Sequence, residues 1–225
     1  MNGRKNLVVA MLMLALGVQT CYALESVRDQ EIARCLPGEI STWGDNQDRP
    51  ALQSPLLFAY EHDGAPAWFG EPLVLAAIAN AATAWAQCGI RATVTPLAAG
   101  APVPSGTILI EWSDAGSRRN FGLANLSQKT LSLGPAAFQL LQTRNPAYDA
   151  RQTLQMVISH EVGHFFGVMA HSRRCVDVTS YYDNGKGESC LIRDGGVRQP
   201  GVEYRALLPT ACDIQRCRAA NGLAR

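Results

Sequence analysis

Two stretches of the chain repeat apolar residues at helical spacing. In Glu71–Gln87 these are Leu73, Ile78, Ala82 and Trp85, and Gly89 follows as a stop. In Ala150–Phe166 they are Leu154, Ile158 and Val162, and Gly167 is placed to end the helix. Asn145-Pro146 reads as a helix-start signal ahead of it, because proline fits a first turn. Leu56–Tyr60, Arg91–Thr95 and Thr107–Trp112 read as strands, and Asn120–Leu133 as one or two more with a turn near Ser127. Leu24–Pro55 has few periodic apolar positions and several turn residues, so it reads as an irregular leader tied down by Cys35. Residues 168–206 show no period and many Gly, Asp and Arg; Pro209-Thr210 then opens a short helix that ends near Asn221-Gly222. The pattern predicts an α/β layer followed by a smaller irregular subdomain around a site.

A length of 225 residues, 47% hydrophobic and 17% charged, suits one domain with its own core. Lys+Arg number 20 against 19 Asp+Glu, so no basic excess marks a nucleic-acid partner. The N-terminus adds an address. Arg4 and Lys5 precede an apolar run, Leu7–Val18, that falls short of the roughly 20 residues a bilayer span needs. Cys21-Tyr22-Ala23 suits cleavage before Leu24. Residues 1–23 are therefore expected to be a signal peptide, and the protein to be secreted or periplasmic without stable membrane insertion. Cys35, Cys88, Cys175, Cys190, Cys212 and Cys217 would remain, an even set that predicts three disulfides. Cys175–Cys190 is the favoured pair, since it closes a short Gly-rich loop. Cys212–Cys217 is disfavoured, because within one helix the two side chains point to different faces.

Of four histidines, three fall in the segment His160-Glu161-Val162-Gly163-His164-Phe165-Phe166-Gly167-Val168-Met169-Ala170-His171. His160 and His164, at i and i+4, project from one helix face about a turn apart, as two ligands of one ion must. Gly167 lets the chain turn back so that His171 can supply a third imidazole. Three nitrogen ligands with a fourth position free is the catalytic arrangement of zinc, whereas structural sites close with four. Glu161, rotated by about 100° from His160, can reach a water there as general base without ligating.

This segment resembles the HExxHxxGxxH zinc consensus of the metzincin clan of metallopeptidases, most closely the matrixin group. The likeness extends weakly over roughly 55–222, through the order of helix 71–87, strand Thr107–Trp112, segment Asn120–Pro135 and the ending Leu208–Ile214. It implies a metzincin-like α/β (α+β) fold: a twisted mixed sheet with one antiparallel edge strand, two long helices, and an irregular C-terminal subdomain ending in a helix. The implied layout is a leader over 24–54 and a catalytic domain over 55–225, divided at 167/168. The implied activity is zinc-dependent endopeptidase cleavage by a monomeric enzyme, with an extended peptide or protein substrate added as a strand along Gly122–Leu133. Structural calcium is left open; Asp183-Asn184-Gly185 lacks the alternating carboxylates of a calcium loop.

The chain departs from the consensus twice. The third ligand is expected at Ala170, and His171 comes one residue later. Thr179 stands where the family's Met-turn has methionine. Tyr181, two positions on, matches a tyrosine that some metzincins use to ligate zinc or steady the oxyanion; a packed Tyr181-Tyr182 pair is the alternative. Arg34-Cys35-Leu36-Pro37 faintly resembles the matrixin cysteine switch, although the even cysteine count favours a disulfide there. His62 reads as an exposed loop residue. The specificity pocket is expected to take its wall from 172–206. Two other functions suit the same residues: a catalytically decayed binding protein on this scaffold, and a zinc amidase acting on a non-peptide substrate.

Overall fold

The computed structural model describes residues 26–199 and 202–223, so the expected signal peptide lies outside the described residues. Leu56–Glu61 (β1), Ala92–Leu97 (β2), Ile108–Trp112 (β3), Gly122–Asn125 (β4) and Thr130–Leu133 (β5) form one mixed sheet in the order β2-β1-β3-β5-β4. The pairings β1–β2, β1–β3 and β3–β5 are parallel, and β4 alone runs antiparallel, with Gly122 opposite Leu133 and Asn125 opposite Thr130. Ile108, Ile110 and Trp112 alternate inward along β3, the period-2 signature of a half-buried strand. Pro96 is tolerated in β2 because that strand is an edge.

Two 16-residue helices, α2 (Glu71–Ala86) and α4 (Ala150–Phe165), pack against each other. Trp85 of α2 is wholly buried, and its indole N–H donates to the Ser159 carbonyl of α4 at 2.8 Å. Its ring lies on Gly163, where a Cβ would sit 2.5 Å from the indole. The glycine inside the histidine motif is thus the groove that lets α2 close on α4. From Thr153 onward nearly every α4 side chain is buried, so this is a central helix rather than a surface one.

Three sequence expectations need correction. The α4 helix is started by Asp149, whose carboxylate accepts the Arg151 and Gln152 N–H groups, while Asn145-Pro146 belongs to the preceding turn. A further helix, α3 (Pro135–Arg144), lies before it and was not expected. Phe138 is its one buried side chain, ringed by Phe69, Trp112 and Phe121, and the helix is only ten residues long. The leader is not irregular throughout: α1 (Val27–Ala33) is capped by Ser26, and the residue it buries is Glu31, which accepts the Arg193 N–H and the Tyr204 hydroxyl.

The last helix, α5 (Ala211–Ala220), opens with a reciprocal Thr210/Asp213 capping box. Disulfides Cys35–Cys212 and Cys88–Cys217 fasten it to the leader and to the end of α2, and Cys175–Cys190 closes its own loop. Cys35 is therefore bonded rather than a free thiol. The three bonds fit an oxidising compartment. No helix among the described residues is long and apolar enough to cross a membrane.

Gly163→Ala should drive a methyl into the Trp85 ring and lower stability by about 1–3 kcal/mol. Urea unfolding of the two proteins checks this; a loss under about 0.5 kcal/mol would show that α2 and α4 are not packed as described.

Candidate metal centre

The α4 helix ends in a Schellman motif: the Gly167 N–H returns to the His164 carbonyl and the Val168 N–H to that of Gly163. Gly167 has φ 99°, and a Cβ there would lie 2.0 Å from the Arg49 carbonyl oxygen. Only glycine meets both demands, the left-handed turn and the close approach of the leader.

That approach is continuous. Leu52 N–H donates to Phe165 O, Arg49 N–H to Gly167 O and Trp43 N–H to His171 O, each at 3.0 Å, and Arg173 N–H donates to Ser41 O at 2.8 Å. Asp48 accepts the Met169 and Ala170 N–H groups through one oxygen and a bidentate contact from Arg216 of α5. Asp45 accepts the backbone N–H of His171 at 3.0 Å and its ring Nδ1–H at 2.5 Å. Segment 41–52 is thus a strap that shapes the loop after α4 and sets the orientation of His171.

The three imidazoles meet. Ring centroids are 5.2 Å apart for His160–His164, 5.1 Å for His160–His171 and 5.3 Å for His164–His171, close to an equilateral triangle. Candidate ligand atoms of the three lie within 4.8 Å of one another. His160 Nδ1–H donates to the Val178 carbonyl and His164 Nδ1–H to that of Val168, both at 2.8 Å. With every Nδ1 engaged by an oxygen acceptor, the neutral rings carry their lone pairs on Nε2. The buried Nε2 of His171 has no hydrogen-bond partner among the described residues. Burial holds the pKa of all three rings below the ordinary histidine value, most strongly at His160, which favours the neutral form a ligand needs. The residues present therefore fit a divalent ion, and an all-imidazole donor set suits zinc.

Glu161 stands beside this triangle. It is buried, and its Oε2 accepts the Ala124 N–H of β4 at 2.8 Å. Its stem packs on Gly122, where a Cβ would come within 2.9 Å of Glu161 Cγ. Desolvation raises its pKa above the usual carboxylate value. Tyr181 is 45% exposed and stacks on His171, with centroids 3.7 Å apart and an interplanar angle of 15°. His62 stays outside the cluster, bonded to the Tyr60 hydroxyl at 2.6 Å.

The turn after His171 carries Val178, and Ser180 N–H closes it on Asp177 O at 3.0 Å. Thr179 is fully buried there. Its hydroxyl donates to Asp213 at 2.7 Å and accepts from Arg216 at 3.1 Å. A polar network anchored on α5 thus holds this turn.

A cleft of about 730 Å³ opens over Glu161 and the three histidines. Its far wall is Ala137, Leu140 and Leu141 of α3 with Met156 of α4; from 172–206 only Tyr181 and Arg205 line it. The segment 172–206, expected to wall a specificity pocket, supplies two of the cleft's lining residues, and the unexpected helix supplies more. Asp45 and Asp48 were also missed, because aspartates in Gly- and Asn-rich sequence look like ordinary turn formers.

No family model and no curated protein matches this chain. Among solved structures, a chain of the "GM1 bound form of the ECX AB5 holotoxin" is similar at 13% identity and a TM-score of 0.39, covering 74% of this chain and 79% of that one.

Asp45→Asn keeps the shape but cannot accept both N–H groups of His171 with full charge. Zinc affinity should fall about 10–100-fold, read by competition with a chromophoric chelator, while the circular dichroism spectrum is unchanged. Affinity equal to wild type would remove Asp45 from the centre.

Proposed function

We propose that the protein is an exported, zinc-dependent endopeptidase of the metzincin type, matrixin-like. The carrying observation is the convergence of three oriented imidazoles, all from His160, His164 and His171, beside a carboxylate that is not part of the triangle. Three protein ligands rather than four is the donor count of a hydrolytic site. The sheet with its antiparallel edge, the two long helices and the terminal helix support the same reading. An ion held there supplies a water acidified to a pKa of about 7 and a Lewis acid for the scissile carbonyl.

The chain's own groups do the rest. Ala124 N–H fixes one oxygen of Glu161, which leaves the other to take a proton from the attacking water and pass it to the departing amine nitrogen as the C–N bond breaks. The raised pKa of Glu161 brings base and conjugate acid closer to working pH, which suits both transfers. The β4 strand forms the rim of the cleft as the last strand of the sheet; its Ala124 N–H is taken by Glu161, and an extended peptide can add through the remaining outward backbone groups. The apolar wall of Leu140, Leu141 and Met156 then receives one apolar substrate side chain. Tyr181, stacked on His171, is the tyrosine that lines the cleft and would offer its hydroxyl to the developing oxyanion.

Glu161→Gln should retain zinc and lower peptide cleavage by about 10²–10⁴-fold. Metal analysis with a fluorogenic peptide assay checks both, and full activity in that variant would refute the base. Tyr181→Phe keeps the stacking and removes the hydroxyl; kcat should drop about 10-fold or more with KM unchanged. An unaltered kcat would leave Tyr181 as packing alone.

A further inference from the structure

The rim of the cleft is strongly cationic. Arg119 and Arg144 line the cleft over the histidines, and Arg49 and Arg118 line the adjoining depression against Leu123, Ala124 and Asn125 of β4. All four side chains are exposed, and none makes a salt bridge, a side-chain hydrogen bond or a ring contact among the described residues. Nearby carboxylates keep their charge but are held by hydrogen bonds of their own. Asp114, which begins the 114–119 turn, accepts the Ala136 N–H of α3 at 3.0 Å. Asp45 holds His171 through both oxygens, and Glu161 is buried. Arg205, the remaining cation of the cleft, is paired in bidentate fashion with Glu203. Arg118 and Arg119 both sit at positive φ, 52° and 63°, a conformation that arginine adopts at a cost. In a chain with 20 basic and 19 acidic residues, four unpaired guanidinium groups around the cleft and the depression beside β4 are a local asymmetry.

From this we infer that the substrate is an acidic peptide, laid along β4 with Asp or Glu side chains flanking the apolar residue that enters the α3 wall. The inference rests on the peptidase reading for the identity of the cleft and adds the chemical class of its ligand. Guanidinium groups suit carboxylates because their N–H fork matches the two oxygens. Each exposed pair is weak, so the expected signature is an additive, salt-sensitive gain in encounter and affinity rather than one dominant contact.

The test measures binding and cleavage separately. Fluorescence anisotropy of zinc-loaded Glu161→Gln is recorded with a labelled peptide holding one leucine among glutamates, and with its glutamine counterpart. At about 50 mM salt the acidic peptide should bind about 10-fold or more tighter, and at about 500 mM the advantage should shrink to about 2-fold. The double variant Arg118→Glu/Arg144→Glu, made in the Glu161→Gln background and matched to it in thermal melting, should reverse the preference. If the double variant fails to fold, Arg49→Gln/Arg119→Gln should still reduce the preference. Equal binding of the two peptides, binding of neither, or displacement by an oligonucleotide of equal charge at lower concentration than by the acidic peptide would each overturn the inference. Wild-type cleavage of both peptides with equal efficiency would overturn it too, while leaving the peptidase reading intact. Selective binding of the acidic peptide with cleavage of neither would sustain the inference and sink the peptidase.

Discussion

The strap of residues 41–52 along residues 165–173 is the contact on which the centre depends. An α-helix can present two imidazoles one turn apart by itself, because i and i+4 share a face. It cannot deliver the third, which must come from a chain that has already left the helix. Here the backbone pairing of Arg49 with Gly167 and of Trp43 with His171, together with the two carboxylates of Asp45 and Asp48, dictates the path of that chain. The three residues between Gly167 and His171 run in this loop, and two of them, Met169 and Ala170, donate their N–H groups to Asp48.

Arg216 joins the strap to the rest. From α5 it reaches Asp48, the Ala170 carbonyl and the Thr179 hydroxyl, so the leader, the ligand loop and the turn carrying Val178 share one buried cation. Disulfides fasten α5 itself at Cys212 and Cys217. Removing one partner of such a buried charged network costs about 3–5 kcal/mol, far more than any exposed pair on the surface. Thr179 belongs to the same network: its hydroxyl donates to Asp213 and accepts from Arg216.

Much of the site was legible in the sequence because its signals are local. The i, i+4 histidines, the adjacent glutamate and the Gly167 stop all lie within one helix and its cap, and the alternating strands and the 71–87 helix announce themselves by period. The Cys175–Cys190 pair was also accessible, since it closes a short loop. What escaped was non-local or polar. In α1 the buried residue is polar, Glu31, and the apolar positions of α3 fall within a ten-residue helix that buries Phe138 alone, too short a run to stand out. Asp45 and Asp48 act on residues more than 120 positions away, and nothing in their own neighbourhood distinguishes them from turn residues. The share of α3 in the cleft wall escaped for the same reason.

The most direct test of this account is anomalous diffraction at the zinc edge from crystals of the protein grown with stoichiometric zinc. The account predicts a single peak bound by Nε2 of His160, His164 and His171 at ordinary zinc–imidazole distances, about 2.0–2.1 Å, with a non-protein oxygen in the fourth position. A peak bound by a fourth protein side chain, or a His171 ring turned away from an ion held by the other two, would contradict it.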